Sequence, residues 1–285
     1  MAMALVMVMV AFGFKVAAAP FHLWAPDAYE GAPTPSAALI ASASKLAGFT
    51  LFFRLLWPGL SVLAGDVAQP GNRGGWLTLV ALLAGASLLL GNLAALAQTN
   101  VRRLLAYSAI AHAGVMLLGL ISVEIVGGPG VLFYYVATYG VATAGAFGVI
   151  AVLERQDANG CQKITDLAGL SRRSPLLAGC LAVFILSLAG IPPLAGFFGK
   201  FFVFTSALKL GGLAGPAGWL TVLAILLSAV GLYYYLLVLK QALIAAPASD
   251  AARIRVPPAT ALTLLVAAGL IVVLGLFPSL LLGLF

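Results

Sequence analysis

Apolar residues in this chain do not alternate with polar ones. They run for about 20 positions, enough to cross a bilayer as helix, stop at a turn or breaker signal, and start again. Eight segments emerge, at residues 1–30, 36–57, 75–98, 103–123, 131–153, 175–209, 217–240 and 259–284. Strands of a membrane barrel would read as about ten residues of alternating polarity, and these runs are longer and continuous. The expected fold class is all-α, a polytopic transmembrane bundle of about eight spans.

Two segments are interrupted. As one straight helix the 35 residues of 175–209 would be about 52 Å long, against a hydrocarbon layer of about 30 Å. Near its middle lies "GIPPLAG" (Gly190–Gly196), where Pro192 and Pro193 remove two backbone donors and clash with the preceding turn. This is either a hairpin of two spans or one span broken into half-helices. Outside helix interiors the basic residues are Arg54, Arg73, Arg102, Arg103, Arg155, Lys163, Arg172, Arg173, Lys209, Lys240, Arg253 and Arg255. One broken span puts nine of them on one side and three on the other, leaving only Arg54, Arg73 and Lys209 opposite; a hairpin splits them seven to five. The positive-inside rule favours the sharper asymmetry, hence a broken span, a cytoplasmic 154–174 loop and an outward C-terminus. Segment 1–30 repeats the device: an apolar half ends near Phe14–Lys15, and a second half is expected from Pro20, a residue suited to open a helix. Broken membrane helices are tolerated where the freed backbone is buried in protein or lines a hydrated cavity. With Lys15 and Lys200 near the two breaks, they point to an ion path.

Composition agrees. The 285 residues are 63% hydrophobic and 8% charged, against about 25% charged in soluble domains. The formal charge of +7 then reads as loop bias that orients helices, and no nucleic-acid partner is expected. Cys161 and Cys180 lack CxxC or CxxH spacing, so neither a metal site nor a disulfide framework is indicated. No GxGxxG or P-loop marks a nucleotide site. "VAAAP" looks like a signal-peptide cleavage site, but no Lys or Arg precedes the apolar run. Met1 opening directly into hydrophobic sequence suggests a chain that begins partway through a larger one.

Three lysines, Lys15, Lys45 and Lys200, fall inside apolar segments. Lys45 is the clearest, about 15 Å from either surface at helical rise and too deep to snorkel out. A lysine at the centre of a span costs roughly 2.5–3.5 kcal/mol and is a functional candidate by default. Burial disfavours the charged form of an amine, so such a group can release and regain a proton. The plain alternative is a structural ion pair, but Asp27, Glu30 and Glu124 all fall near helix ends. For Lys15 and Lys200 the plain alternative is a polar cap on a half-helix. His112, mid-span in "YSAIAHAGVM", is either a packing residue or a relay that takes a proton on one nitrogen and loses one from the other. His22 is open to the same two readings. Tyr134, Tyr135, Tyr139 and Tyr233–Tyr235 could hydrogen-bond to such a chain, but read more readily as packing and interfacial aromatics.

Three stretches, "GFKVAAAPFHLWAPDAYEGAPTPSAALIASASKLAGFTLFFRLL", "NLAALAQTNVRRLLAYSAIAHAGVM" and "LSLAGIPPLAGFFGKFFVF", closely resemble subunit N of bacterial NADH–quinone oxidoreductase, respiratory complex I. The likeness covers essentially the whole chain and implies an antiporter-like fold of two inverted five-helix repeats, each with a discontinuous helix. On that pattern residues 1–57 are the last two helices of the first repeat, 75–245 the second repeat and 259–284 the closing helix. Six N-terminal helices of the family are absent, among them the one bearing a mid-membrane glutamate, the expected partner of Lys15. The chain is therefore expected to be a piece of a longer protein. The seventh segment also has no central lysine equivalent to Lys45, so the second repeat is not a literal copy.

The resemblance implies that Lys15, Lys45 and Lys200, with His112, carry protons across a bacterial cell membrane. Lys45 would exchange with Lys15 on one side and, through His112 and water, with Lys200 on the other. The implied partners are the other membrane-arm subunits of complex I and the lipid bilayer. NADH, FMN, iron–sulfur clusters and quinone belong on this reading to other subunits, with no cofactor and no redox centre in this chain. Two alternatives stay open: a subunit of a multisubunit Na⁺/H⁺ antiporter, and a passive scaffold whose buried polar residues only fix packing.

Overall fold

The computed structural model describes residues 2–65, 75–123, 128–156, 161–210, 212–213, 215–247 and 253–284; Arg73 and Glu124 lie outside them. The helices are α1 (Ala2–Lys15), α2 (Trp24–Gly31), α3 (Thr34–Ala41), α4 (Ala43–Arg54), α5 (Trp76–Leu96), α6 (Val101–Ile121) and α7 (Gly130–Gln156). After them come α8 (Leu170–Arg173), α9 (Pro175–Ala189), α10 (Ala195–Lys209), α11 (Pro216–Leu243), α12 (Pro258–Leu276) and α13 (Ser279–Leu282). Among the described residues six stretches are long and apolar enough to cross a membrane, the first being Thr34–Gly59, which joins α3, α4 and a π-helical turn at Leu55–Gly59. Adding the broken pairs α1/α2 and α9/α10 gives the eight crossings expected.

Helix α6 is the axis of the bundle. Every side chain from Ser108 to Ile121 is buried, which suits a helix apolar on all faces. Helices α5, α7, α10 and α11 pack around it. Its start is set by Asn100, whose side-chain oxygen accepts from the Arg102 and Arg103 amides at 2.9 and 3.2 Å, a regular N-cap.

The two ends of the bundle differ. At one end Arg103 pairs with Asp27 at 2.6 Å and Glu30 at 2.7 Å, and Arg102 lies 3.5 Å from Glu154. Asn100 and Lys163 form an isolated bridge there. Nearby, Ser171 Oγ donates to the Leu243 carbonyl and the Ile254 amide to the Arg173 carbonyl. The Arg255 amide donates to the Gln156 side chain. The nine basic residues assigned to one side thus gather at one end. At the other end the Trp57 and Trp76 indoles donate to the Leu120 and Leu60 carbonyls at 2.7 and 2.8 Å. Helix α11 starts just after Lys209, the end of α10, and runs to the Ser171 end, where α9 starts. So α9 and α10 together traverse the bundle once: a broken span, not a hairpin.

Two details depart from expectation. The second half of the first segment begins at Trp24, because residues 16–23, Pro20 included, form turns. The second segment is not continuous: Ser42 leaves helical geometry at φ −112°, ψ −86°, and its hydroxyl donates to the Ala38 carbonyl. A serine that bonds back to the preceding turn competes with the helical ladder and bends it.

Candidate functional site

At each break the chain frees backbone groups that membrane depth leaves without water, and each is met by a specific partner. In the first, the Phe14 carbonyl accepts from the Trp24 indole at 3.0 Å, and the Ala19 amide donates to Ser87 Oγ of α5 at 2.8 Å. Ala17 lies in the left-handed region at φ 57°. In the second, α9 ends at Gly190 (φ 85°), the usual residue for a left-handed C-terminal turn. The segment 191–194 then carries Pro192 and Pro193, and the Gly196 amide donates to Ser187 Oγ at 3.1 Å. Lys200 reaches back from α10 so that its Nζ donates to the Leu188 and Ala189 carbonyls, both at 3.0 Å. The half-helix cap weighed for Lys200 is therefore real.

Lys45 is 3% exposed. Its Nζ donates to the Ala109 carbonyl of α6 and lies 5.4 Å from the centroid of the Tyr139 ring. Among the described residues, neither Lys45 nor Lys200 takes part in an ion pair. The structural ion pair weighed for Lys45 is not what holds it among the described residues.

Lys15 is placed differently. It lies on the exposed face of α1 and its Nζ donates to Ser44 Oγ at 3.0 Å. The serine is the residue before Lys45, so the two amines flank the same turn. Apolar residues of that face, Met3, Met7 and Phe14 among them, are exposed as well.

His112, 5% exposed, lies one turn past Ala109, the residue that holds Lys45. Both its nitrogens are engaged: Nδ1 with Tyr135 Oη at 2.6 Å and Nε2 with Tyr235 Oη at 3.0 Å. Tyr235 Oη also bonds to Ser108 Oγ. These tyrosines, read from sequence more readily as packing aromatics, are hydrogen-bond partners of the histidine. Tyr139 stacks near the same ring at 4.9 Å between centroids. Tyr134 instead donates to the Leu274 carbonyl, and Tyr233 is exposed, as an interfacial aromatic should be. A cavity of about 10 Å³, lined by His112, Tyr235, Lys200, Asn92, Tyr234 and Ser228 among others, is just large enough for about one water. His22 is buried in the first break, and its Nδ1 has no partner among the described residues. Among the described residues no group of His, Cys, Asp and Glu is placed to hold a metal ion.

The site thus lies along α6. Lys45, His112 and Lys200 converge on it from α4, α6 and α10, whereas Lys15 stands at the edge. The arrangement offers titratable groups without carboxylate neutralisation, with phenol hydroxyls on both nitrogens of His112 and a water-sized void that His112 and Lys200 both line.

Known proteins place this arrangement in context. The family described as NADH:quinone oxidoreductase/Mrp antiporter, transmembrane, matches residues 1–228. "NADH-quinone oxidoreductase subunit N 2" of Acidobacterium capsulatum is 54% identical over 98% of this chain and 55% of its own length. The corresponding subunit N of Heliobacterium modesticaldum is 46% identical over 83% of this chain and 47% of its own. The chain spans about half the length of these relatives. Among solved structures, a chain of respiratory complex I from Thermus thermophilus superposes with a TM-score of 0.80 at 38% identity, over 98% of this chain and 58% of that one. An Mrp complex chain from Dietzia superposes with a TM-score of 0.82 at 22% identity, over 99% of this chain and 58% of that one; this is a likeness of fold.

Proposed function

The chain belongs to the NADH:quinone oxidoreductase/Mrp antiporter transmembrane family, and on that footing we propose that this multi-pass membrane protein is a proton-translocating membrane-arm subunit of NADH–quinone oxidoreductase. It works in a bacterial cell membrane beside the other membrane-arm subunits. Electron transfer from NADH to quinone occurs in those partners and drives the proton movement here. The relatives that carry the subunit N name support this assignment. Residues 1–57 are the end of one inverted repeat, 75–245 the second repeat and 259–284 the closing helix.

The observation that carries the reading is Lys45: an amine held at the centre of the bundle by a backbone carbonyl, without a carboxylate. A lysine kept only for packing would be better paired, because an uncompensated buried charge is costly. An amine that is cheap to discharge suits a proton carrier. Lys45 exchanges protons with His112 and onward with Lys200, and Lys15 supplies the outer step through the Ser44 turn. Rearrangement at the breaks changes the surroundings of the lysines and so drives uptake and release.

Lys45→Met in the assembled complex should lower NADH-driven proton pumping into inverted membrane vesicles by about tenfold or more, within the range of positioned proton-transfer groups. Wild-type pumping by a fully assembled variant removes Lys45 from the path. A loss of assembly on a blue-native gel, with normal pumping by what assembles, supports the scaffold reading.

A further inference from the structure

We infer that a groove between α9 and α11 holds one acyl chain of a phospholipid with an anionic headgroup, drawn from the leaflet at the basic end of the bundle. The inference goes beyond the proton path and does not depend on it. The groove has a volume of about 500 Å³ and is walled by Leu186 of α9 and by Tyr233, Leu236, Lys240 and Leu243 of α11, with Ile244 at its end. Steps of three and four residues put these α11 positions on one face of the helix. That face is open: Tyr233, Leu236 and Ile244 are 58%, 48% and 76% exposed.

Length and width bear on the occupant. From Tyr233 to Ile244 the groove runs about 16 Å at helical rise. That is half of the hydrocarbon layer of about 30 Å, so it spans one leaflet. Its volume over that length gives a mean cross-section of about 30 Å², roughly 6 Å across, against about 10–12 Å for a helix with its side chains. One extended hydrocarbon chain fits, and a helix of a neighbouring protein does not. The inner end lies at Leu186, whose carbonyl accepts from the Gly190 amide in the turn that closes α9. A chain in the groove therefore rests on the half-helix that leads into the second break.

The other end carries charge. Lys240, the charged member of the wall, is exposed and stands one turn from the end of α11. Beside it, Ser171 Oγ donates to the Leu243 carbonyl at 3.0 Å, which places α8, with the exposed Arg172, at the mouth. Among the described residues neither cation takes part in an ion pair. Both have stems that let the charge reach headgroup level from a helix end. Basic pockets between membrane helices select anionic headgroups in this way.

The test places the protein, purified with its native partner subunits, in phosphatidylcholine vesicles that contain a photoactivatable lipid with its reactive group at the end of one acyl chain. Phosphatidylglycerol and phosphatidylcholine carrying the same chain are compared, and the labelled peptides are mapped. Each cation at a headgroup is worth about fivefold in affinity, so phosphatidylglycerol should label the Leu186 and Leu236 peptides about fivefold or more over phosphatidylcholine. Val273 and Leu276, exposed at the far end of α12, should be labelled equally by both. Lys240→Gln combined with Arg172→Gln should remove the preference. Leu236→Trp, which fills the groove, should lower labelling at Leu186 by both lipids. Equal labelling of the wild-type groove by the two lipids means bulk lipid, and no labelling there means a face covered by protein; either result overturns the inference.

Discussion

At the first break the carbonyl that ends α1 is capped by a neutral indole, Trp24; at the second the carbonyls that end α9 are capped by an amine, Lys200. The freed amides beyond are treated alike, Ala19 meeting Ser87 and Gly196 meeting Ser187. A cation near a helix C-terminus meets the negative end of its dipole, worth typically about 0.3–1 kcal/mol and more when partly buried. The charge of Lys200 is therefore built into the geometry of its break. When Lys200 loses its proton the strongest cap on two buried carbonyls weakens; when Lys15 does, the backbone of its own break loses nothing. The second break thus carries its lysine as a cap on its own backbone, and the first does not.

The sharpest way to break this comparison is steric. A Cβ on Gly196 would lie 1.9 Å from the Ser187 carbonyl oxygen and 2.7 Å from its carbon, so the half-helices cannot meet as they do. At the first break a Cβ on Gly13 would meet only the Phe21 ring, at 2.7 Å, and a side chain can move. Gly196→Ala should destabilise the protein by about 3 kcal/mol or more, the upper range for overpacking, and Gly13→Ala by about 1 kcal/mol. Thermal unfolding of the detergent-solubilised protein reads the difference. Equal costs would show that the second break is no tighter than the first.

Ser187→Ala and Ser87→Ala test the shared half of the comparison. Each leaves one buried amide without its acceptor, at about 1–3 kcal/mol. The serines hold separate breaks, so the double variant should lose the sum of the two single losses. A double variant no worse than either single one would mean that the breaks form one cooperative unit, and the contrast drawn between them would then need revision.

Much of this design is visible in the sequence, for reasons that also mark where it stops. Span count is legible because bilayer thickness imposes a length on every crossing. The breaks are legible because proline cannot continue a ladder, and the side assignment because Lys and Arg stay in loops. The bend at Ser42 is not, since serine is common in membrane helices and signals a bend only when its hydroxyl turns back onto the chain. Nor are the histidine's partners: Tyr135 and Tyr235 lie 23 and 123 residues from His112, and two of six candidate tyrosines cannot be singled out without knowing which helices touch. The direction in which Lys15 points is also hidden. Helix α1 is apolar on every face, so its sequence fixes the depth of the lysine but not the direction it points.

That direction yields the smallest effect and the most pointed one. Lys15 is exposed and spends its amine on a single hydroxyl, Ser44, whereas Lys200 is 8% exposed and holds two carbonyls. Lys15→Met should shift the stability of this chain by no more than about 0.5 kcal/mol, as exposed substitutions generally do. Lys200→Met leaves both carbonyls uncapped and should cost about 1.5–3 kcal/mol, the range for a hydrogen bond to a charged group. Thermal unfolding of the two variants side by side decides it. If Lys15→Met proves as damaging as Lys200→Met, Lys15 is bound into its break after all, and both breaks are coupled to the charge beside them.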